Sequence, residues 1–388
     1  MNSGLDALRE RPEMVRDRRV GVVTNHTGLA ADFRPTAEVL ASLGARVVAL
    51  FGPEHGYDGI MQDALSIAHA THEVRGAGPV PVYSLYQSDG DFGIPAGALD
   101  GLDLLVFDIQ DVGARYYTYP STLGVVLEAA AATGLPVLVL DRPNPLGGAV
   151  EGPGLDADCR SFVGWWPVPV RHGLTLGELA RYANATHLGG RVALDVVPAT
   201  GWRRDMLFPA TGLTWVAPSP NIPAFDTALV YPGTCLLEGT NMAEGRGTTR
   251  PFEIAGAPWI DGEAFAAYLN GLDLPGARFR ATRFLPTSDR HAGQVCGGVQ
   301  VHVTDAVALR PVTLGLQVVV AARRLYPQAF AWREPGVPGG LYHFDRLIGS
   351  RSLRPAIDAG AAVADLTAGW GDTERAFAQA RASWLLYP

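Results

Sequence analysis

The chain has 388 residues, 47% apolar and 18% charged, which excludes intrinsic disorder and leaves room for two domains or one large one with an extension. A net charge of −8 with no arginine- or lysine-rich run excludes the basic footprint of a nucleic-acid or anionic-membrane binder. Cys159, Cys235 and Cys296 stand far apart in no CxxC or zinc pattern, so neither a disulfide framework nor a thiolate metal site is expected.

In chain order, the start (residues 1–19) is polar and charged, with no apolar signal-like stretch, and no later apolar run reaches the length of a membrane span. The expectation is a soluble protein, cytoplasmic as written, or exported if a signal was removed. Residues 19–24 (RVGVVT) read as a strand ended by Asn25-His26-Thr27-Gly28. A helix is predicted over 35–43, closed by Gly44. A second strand, 46–51, ends in GPEHG, and a third is expected at 81–85, before a polar loop at 87–93. The run Leu104-Leu105-Val106-Phe107 has the look of a strand buried on both faces. It breaks into Asp108, Gln110, Asp111, Arg115, Tyr116, Tyr117 and Tyr119. Ser121 or Thr122 is expected to cap a helix over 123–132 that stops at Gly134, and strand 135–140 ends in Asp141-Arg142-Pro143-Asn144.

This alternation predicts right-handed βαβ units and a parallel sheet covered by helices on both faces, a Rossmann-like α/β domain. Four strands end in clusters of Asn, His, Glu, Asp or Arg. Ligands of open α/β sheets bind at the carboxyl ends of strands, so the four clusters point to one active-site edge.

Farther on, Thr175 and Glu178 form a capping box that opens a helix to about residue 184, and 192–197 reads as a strand. The prolines of 218–223 dictate an ordered extended loop. Residues 236–252 (LLEGTNMAEGRGTTRPF) carry Glu238, Asn241, Glu244 and Arg246 among glycines; the P-loop order is missing, so a polar loop over a ligand is favoured. After residue 252 the pattern turns to α+β: a helix capped by Asp261, strands at 279–284 and 299–303, and helices at 312–325 and 373–386. The boundary is placed near 231–233, giving a catalytic domain at 1–232 and an α+β domain at 233–388 that closes the cleft.

Carboxylates from different strand ends suit acid/base work on an acetal. Glu54 follows a buried strand between Pro53 and His55, where solvation is reduced, and is the candidate proton donor. Asp108 and Asp111 are candidates for the ionised partner. The bland alternative makes Glu54 a cap or ion-pair carboxylate. A second chemistry would gather His26, His55, Asp58 and Asp108 as an N/O metal site, although no HxH or HExxH spacing supports it. No GxSxG elbow and no GxGxxG turn is present, so a serine nucleophile and a dinucleotide cofactor are disfavoured.

The motifs VVTNHTG, LFGPEHGYDG, VFDIQDVGARYYTYPSTL, LDRPNPLGG, RHGLTLGELA, PSPNIP, YPGTCLLEGTN, EGRGTTRPFE and GAPWID follow in order. Together they resemble the exo-acting β-N-acetylmuramidase glycoside hydrolases, over about residues 19–387. The resemblance implies a Rossmann-like domain with a smaller C-terminal domain, no cofactor and no metal. It implies release of N-acetylmuramic acid (MurNAc) from the non-reducing end of peptidoglycan fragments, so the ligand would be a MurNAc-containing saccharide or muropeptide. On it, Glu54 falls in the PEHG motif as the acid/base. Asp108, Asp111 and Tyr116 are further candidates for catalysis. Asn25, His26, His55, Arg115, Tyr119, Arg142, Asn144, Asn221, Asn241, Glu244 and Arg246 are candidates for substrate binding. Arg142 or Arg246 would read the lactyl carboxylate, because the planar guanidinium matches a carboxylate bidentately. The sequence leaves retention and inversion equally open.

Overall fold

The computed structural model describes residues 1–61, 70–88 and 91–388. Part of the polar loop expected at 87–93 lies outside them. The first half holds helix α1 (Gly4–Leu8), strand β1 (Arg19–Thr24), α2 (Thr36–Ser42), β2 (Arg46–Gly52), β3 (Ala70–Val74), β4 (Gly78–Ser84) and a short pair, β5 (Tyr86–Ser88) and β6 (Asp91–Phe92). Then follow β7 (Leu104–Asp108), α3 (Tyr119–Thr133), β8 (Val137–Leu140), α4 (Leu176–Thr186) and β9 (Leu194–Val197).

Among the described residues seven strands form one sheet in the order β3-β4-β2-β1-β7-β8-β9. All its pairings are parallel except β3–β4. The expectation of an all-parallel sheet is thus corrected at one edge: β3 is an antiparallel strand that the sequence reading left out.

The two faces of the sheet can be read off alternate side chains. Leu104 and Val106 of β7 join Val20, Val22 and Leu50 under α1 and α2. Leu105 and Phe107 point the other way, into the core of α3 and α4 with Val137 and Val139. A strand with both faces covered must be apolar throughout, which is why LLVF is continuous and not alternating.

Helix α3 starts at Tyr119, with Thr118 as its N-cap, and not behind Ser121 or Thr122, which are buried in its first turn. It ends on Gly134 in the left-handed conformation, as expected. The Thr175–Glu178 capping box is present at α4, and Thr175 Oγ1 also donates to buried Asp141 at 2.6 Å.

The second half contains α5 (Phe225–Thr234), a 3₁₀ turn (Cys235–Gly239), β10 (Ile254–Ala257), α6 (Gly262–Asn270), β11 (Ala277–Phe284), β12 (Cys296–Val303) and α7 (Pro311–Leu325). Four further helices close it: α8 (His343–Ile348), α9 (Leu353–Asp358), α10 (Val363–Leu366) and α11 (Trp370–Arg381). The strands form an antiparallel sheet, β10-β12-β11. The last helix ends at Arg381 and not near 386, with a 3₁₀ turn over Ala382–Trp384. The three cysteines are free and buried.

Residues 231–233 sit inside α5, which packs on α7 through backbone. A Cβ added at Gly315 would lie 2.1 Å from the carbonyl oxygen of Gly233, and one at Gly233 would lie 1.8 Å from that of Pro311. Mid-helix Gly→Ala ordinarily stabilises by up to about 1 kcal/mol. At Gly315 the sign should reverse: the helices must separate, and Gly315→Ala is expected to lower the urea midpoint of unfolding, a loss of roughly 2 kcal/mol or more.

Candidate functional site

The sheet order reverses at β1, placing the topological switch point between β1 and β7. The sequence reading put the site along the carboxyl edge of the sheet, of which this crevice is the middle part. In the structure the polar groups of that crevice are mostly bound to one another, and a smaller cavity of about 160 Å³, bordered by Thr27, Gln110 and Arg142, remains there. Asp108, fully buried, accepts from Arg142 Nε and, at 2.9 Å, from Nη2; Thr36 Oγ1 donates to it at 2.6 Å. Arg142 Nη2 also donates to Leu29 O. Asn25 donates to Tyr119 Oη at 2.8 Å and accepts from Thr27, while Tyr119 donates to Pro218 O. Asn144 is bound to Leu174 O and Leu146 N. These groups lock the loops at the strand ends to one another, and none of them lines the large cleft.

That cleft, about 860 Å³, lies beside the crevice and takes its walls from both halves of the chain. The end of β2 contributes Glu54 and His55; the segment after β7 contributes Tyr116, Tyr117 and Thr118. One wall is aromatic. Phe92 and Phe162 stack with ring centres 3.8 Å apart, Tyr86 packs on both, and Trp165 meets Phe162 edge-on. Asn221, Glu238, Arg246, Arg333, His343 and Arg346 also line it.

Glu54 is 8% exposed and accepts from Thr118 Oγ1 at 2.7 Å. Next to it His55 has φ +70, a conformation costly for a residue with a Cβ and often found at functional sites. Its Nδ1 meets Met61 O at 2.9 Å, tying the loop closed behind Glu54. Tyr116 lines the cleft and donates to Pro232 O.

The remaining candidates sit elsewhere. His26 Nε2 contacts Ala217 O at 2.6 Å, and burial lowers its pKa. Arg115 is buried among four carbonyls and has no room for a ligand. Asn241 bridges Ala329 O and Ala331 N. Glu244 lies behind Arg246, out of the cleft. Among the described residues no three His, Cys, Asp or Glu side chains gather as metal ligands, and both oxygens of Asp108 are already engaged.

Residues the sequence reading did not place in the site include Thr118, Arg333, His343, Arg346 and the Phe92–Phe162 stack. Glu238 stood out in the glycine-rich stretch without a role. Thr118 lies within the stretch after β7, between tyrosines that were singled out, while the others come from segments with no strand-end context.

A carboxyl in a cleft with an aromatic wall and arginines is equipment suited to breaking a glycosidic bond of an anionic sugar. The chain belongs to the exo-β-N-acetylmuramidase NamZ family: its N-terminal family model matches residues 20–226 and its C-terminal one residues 229–387. It is 40% identical to the peptidoglycan β-N-acetylmuramidase NamZ of Bacillus subtilis strain 168, over 100% of this chain and 91% of the relative. The fold is shared with two DUF1343 family proteins of known crystal structure from Bacteroides fragilis NCTC 9343. One has a TM-score of 0.88 at 32% identity, covering 100% of this chain and 99% of that one. The other has 0.77 at 27%, covering 100% and 98%.

Asp111 lies outside the cleft lining. Its Oδ2 accepts from Gly113 N at 2.8 Å, its other oxygen is buried without a hydrogen-bond partner, and burial pushes its pKa up to about 7. The folded state therefore holds this proton more tightly than the unfolded chain, and the stability it adds at low pH is lost as pH rises from about 4 to about 7. Comparing urea unfolding at pH 5 and pH 8, wild type should lose roughly 2–3 kcal/mol more than Asp111→Asn. Equal slopes would show that the carboxyl titrates normally.

Proposed function

We propose that the chain hydrolyses the β-glycosidic bond of a MurNAc residue at the non-reducing end of peptidoglycan fragments. The observation that carries this is Glu54, a nearly buried carboxyl oriented by Thr118 in a cleft lined by both aromatic rings and arginines. Glu54 is the general acid: it protonates the glycosidic oxygen as the bond breaks. The aromatic wall offers faces for sugar rings to pack on. Residues 233–388 act as the part that closes the cleft, a reading supported by the walls they supply. No step calls for a cofactor.

The expected assay result is release from a chromogenic β-N-acetylmuramide and not from the matching N-acetylglucosaminide, with EDTA present. Glu54→Gln should keep the melting temperature and lose roughly 10²–10⁴-fold in turnover. Wild-type rates in that variant, or a wild type that needs a metal, would overturn the reading.

Of the two arginines the sequence offered for the lactyl carboxylate, Arg142 is held by Asp108, and Arg246 by Glu238 and Glu244. Arg333 and Arg346 line the cleft, are exposed, and have no carboxylate partner among the described residues. They are the better readers of an anionic substituent. Losing one charge-assisted hydrogen bond costs about 1.5–3 kcal/mol, so Arg346→Gln should raise KM for the muramide by roughly 10–100-fold with kcat little changed. An unchanged KM in Arg346→Gln and in Arg333→Gln would remove both from that role.

A further inference from the structure

With Asp108 and Asp111 outside the cleft, Glu54 needs a different partner. Glu238 lines the same cleft, on the 3₁₀ turn that follows α5. The turn is held rigidly. Gly239 packs against the backbone of Phe344 so closely that a Cβ would lie 2.5 Å away, and Arg290 donates to the carbonyls of Leu237, Thr240 and Met242.

The carboxyl itself is fixed at both oxygens. Arg246 Nη2 donates to Oε1 at 2.7 Å, and His343 Nε2 lies 3.4 Å from Oε2. Arg246 is also shared with Glu244, at 3.0 Å from its Nε. Two carboxyls on one guanidinium cannot both stay charged cheaply in a buried setting. The structure separates them. Glu244 is buried, with one oxygen lacking a hydrogen-bond partner, and burial together with the charge of Glu238 raises its pKa. Burial also works against the charge of Glu238, but Arg246 and His343 outweigh it and hold Glu238 well below the usual carboxylate range. The charged member of the pair is the one on the cleft.

We propose that Glu238 is the second carboxylate of the reaction, facing the anomeric carbon of the sugar whose leaving oxygen Glu54 protonates. This rests on the glycosidase reading above. As the bond from the anomeric carbon to the leaving oxygen breaks, its electron pair departs with that oxygen and takes the proton of Glu54. The positive charge left on the anomeric carbon and ring oxygen is offset by Glu238. Water then supplies hydroxide to the anomeric carbon, and its proton restores Glu54.

The two carboxyls should separate by leaving group. On a 2,4-dinitrophenyl muramide, whose leaving group needs no proton, Glu54→Gln should recover most of the kcat/KM it loses on a saccharide substrate, since that ratio reports the bond-breaking step. Glu238→Gln should lose roughly 10²–10³-fold in kcat on both. It should remain folded, because without the charge of Glu238 the neighbouring Glu244 is free to ionise against Arg246. Added formate should restore part of the rate in Glu238→Ala by occupying the vacated position, which a purely structural role would not allow. If the Glu238 variants melt early, His343→Asn carries the test, with kcat expected to fall roughly tenfold at unchanged KM. A folded Glu238→Gln within tenfold of wild type, or a folded His343→Asn with unchanged kcat, overturns this inference alone. A wild type inert on every muramide overturns the glycosidase reading with it.

Discussion

One buried guanidinium aligns the walls of the cleft. Arg115 is 1% exposed, and it donates at 2.8–3.0 Å to the carbonyls of Pro153, Gly154, Val168 and Leu347. Burial draws its pKa down to about 10, so it remains charged at neutral pH. Carbonyl dipoles are its direct hydrogen-bond partners, including one at the C-terminal end of α8, where the helix dipole is negative, and the charge of Asp156 also favours it. Gly349 leaves space for it: a Cβ there would come within 2.6 Å of Nη2. A charge this far from water must have all these acceptors in place at once, so α8, the 153–168 loop and the segment bearing Tyr116 to Thr118 are fixed together. Those are the segments that carry His343, Phe162 and the hydroxyl that orients Glu54.

Two kinds of polar group therefore meet at the carboxyl edge of the sheet. Asp108, Arg142, Asn25 and Asn144 satisfy one another and the surrounding backbone, a requirement for any polar group kept from water. Glu54, Glu238 and the arginines of the cleft keep part of their surface for a ligand. The first set ties the strand-end loops together beside the cleft, and β2, not the switch point, presents Glu54 to it.

Sequence pattern carried much of the architecture. Apolar strands, capping boxes and left-handed glycine stops are local devices, and β1, β2, β7, β8, α4 and α6 follow them. β3 was missed because an exposed edge strand such as ATHEV has no buried face to give it a period. The site was half legible. Glu54 and His55 stand where a buried strand gives way to polar residues, and the structure puts them in the cleft. The same pattern at Asp108 and Arg142 marks a buried ion pair, and pattern alone cannot tell a charge that meets a ligand from one that meets another charge. The PEHG, LLEGTN and EGRGT motifs, read through family resemblance, supplied what periodicity could not.

The cysteines add one consequence. Cys235 borders the cleft beside Glu238, yet burial raises its pKa well above that of a free thiol, and Cys159 and Cys296 shift in the same direction. A thiol that stays protonated is a poor nucleophile and a slow target for peroxide or disulfide exchange. The fold rests on no disulfide among these cysteines, and the thiol beside Glu238 is kept in its unreactive form.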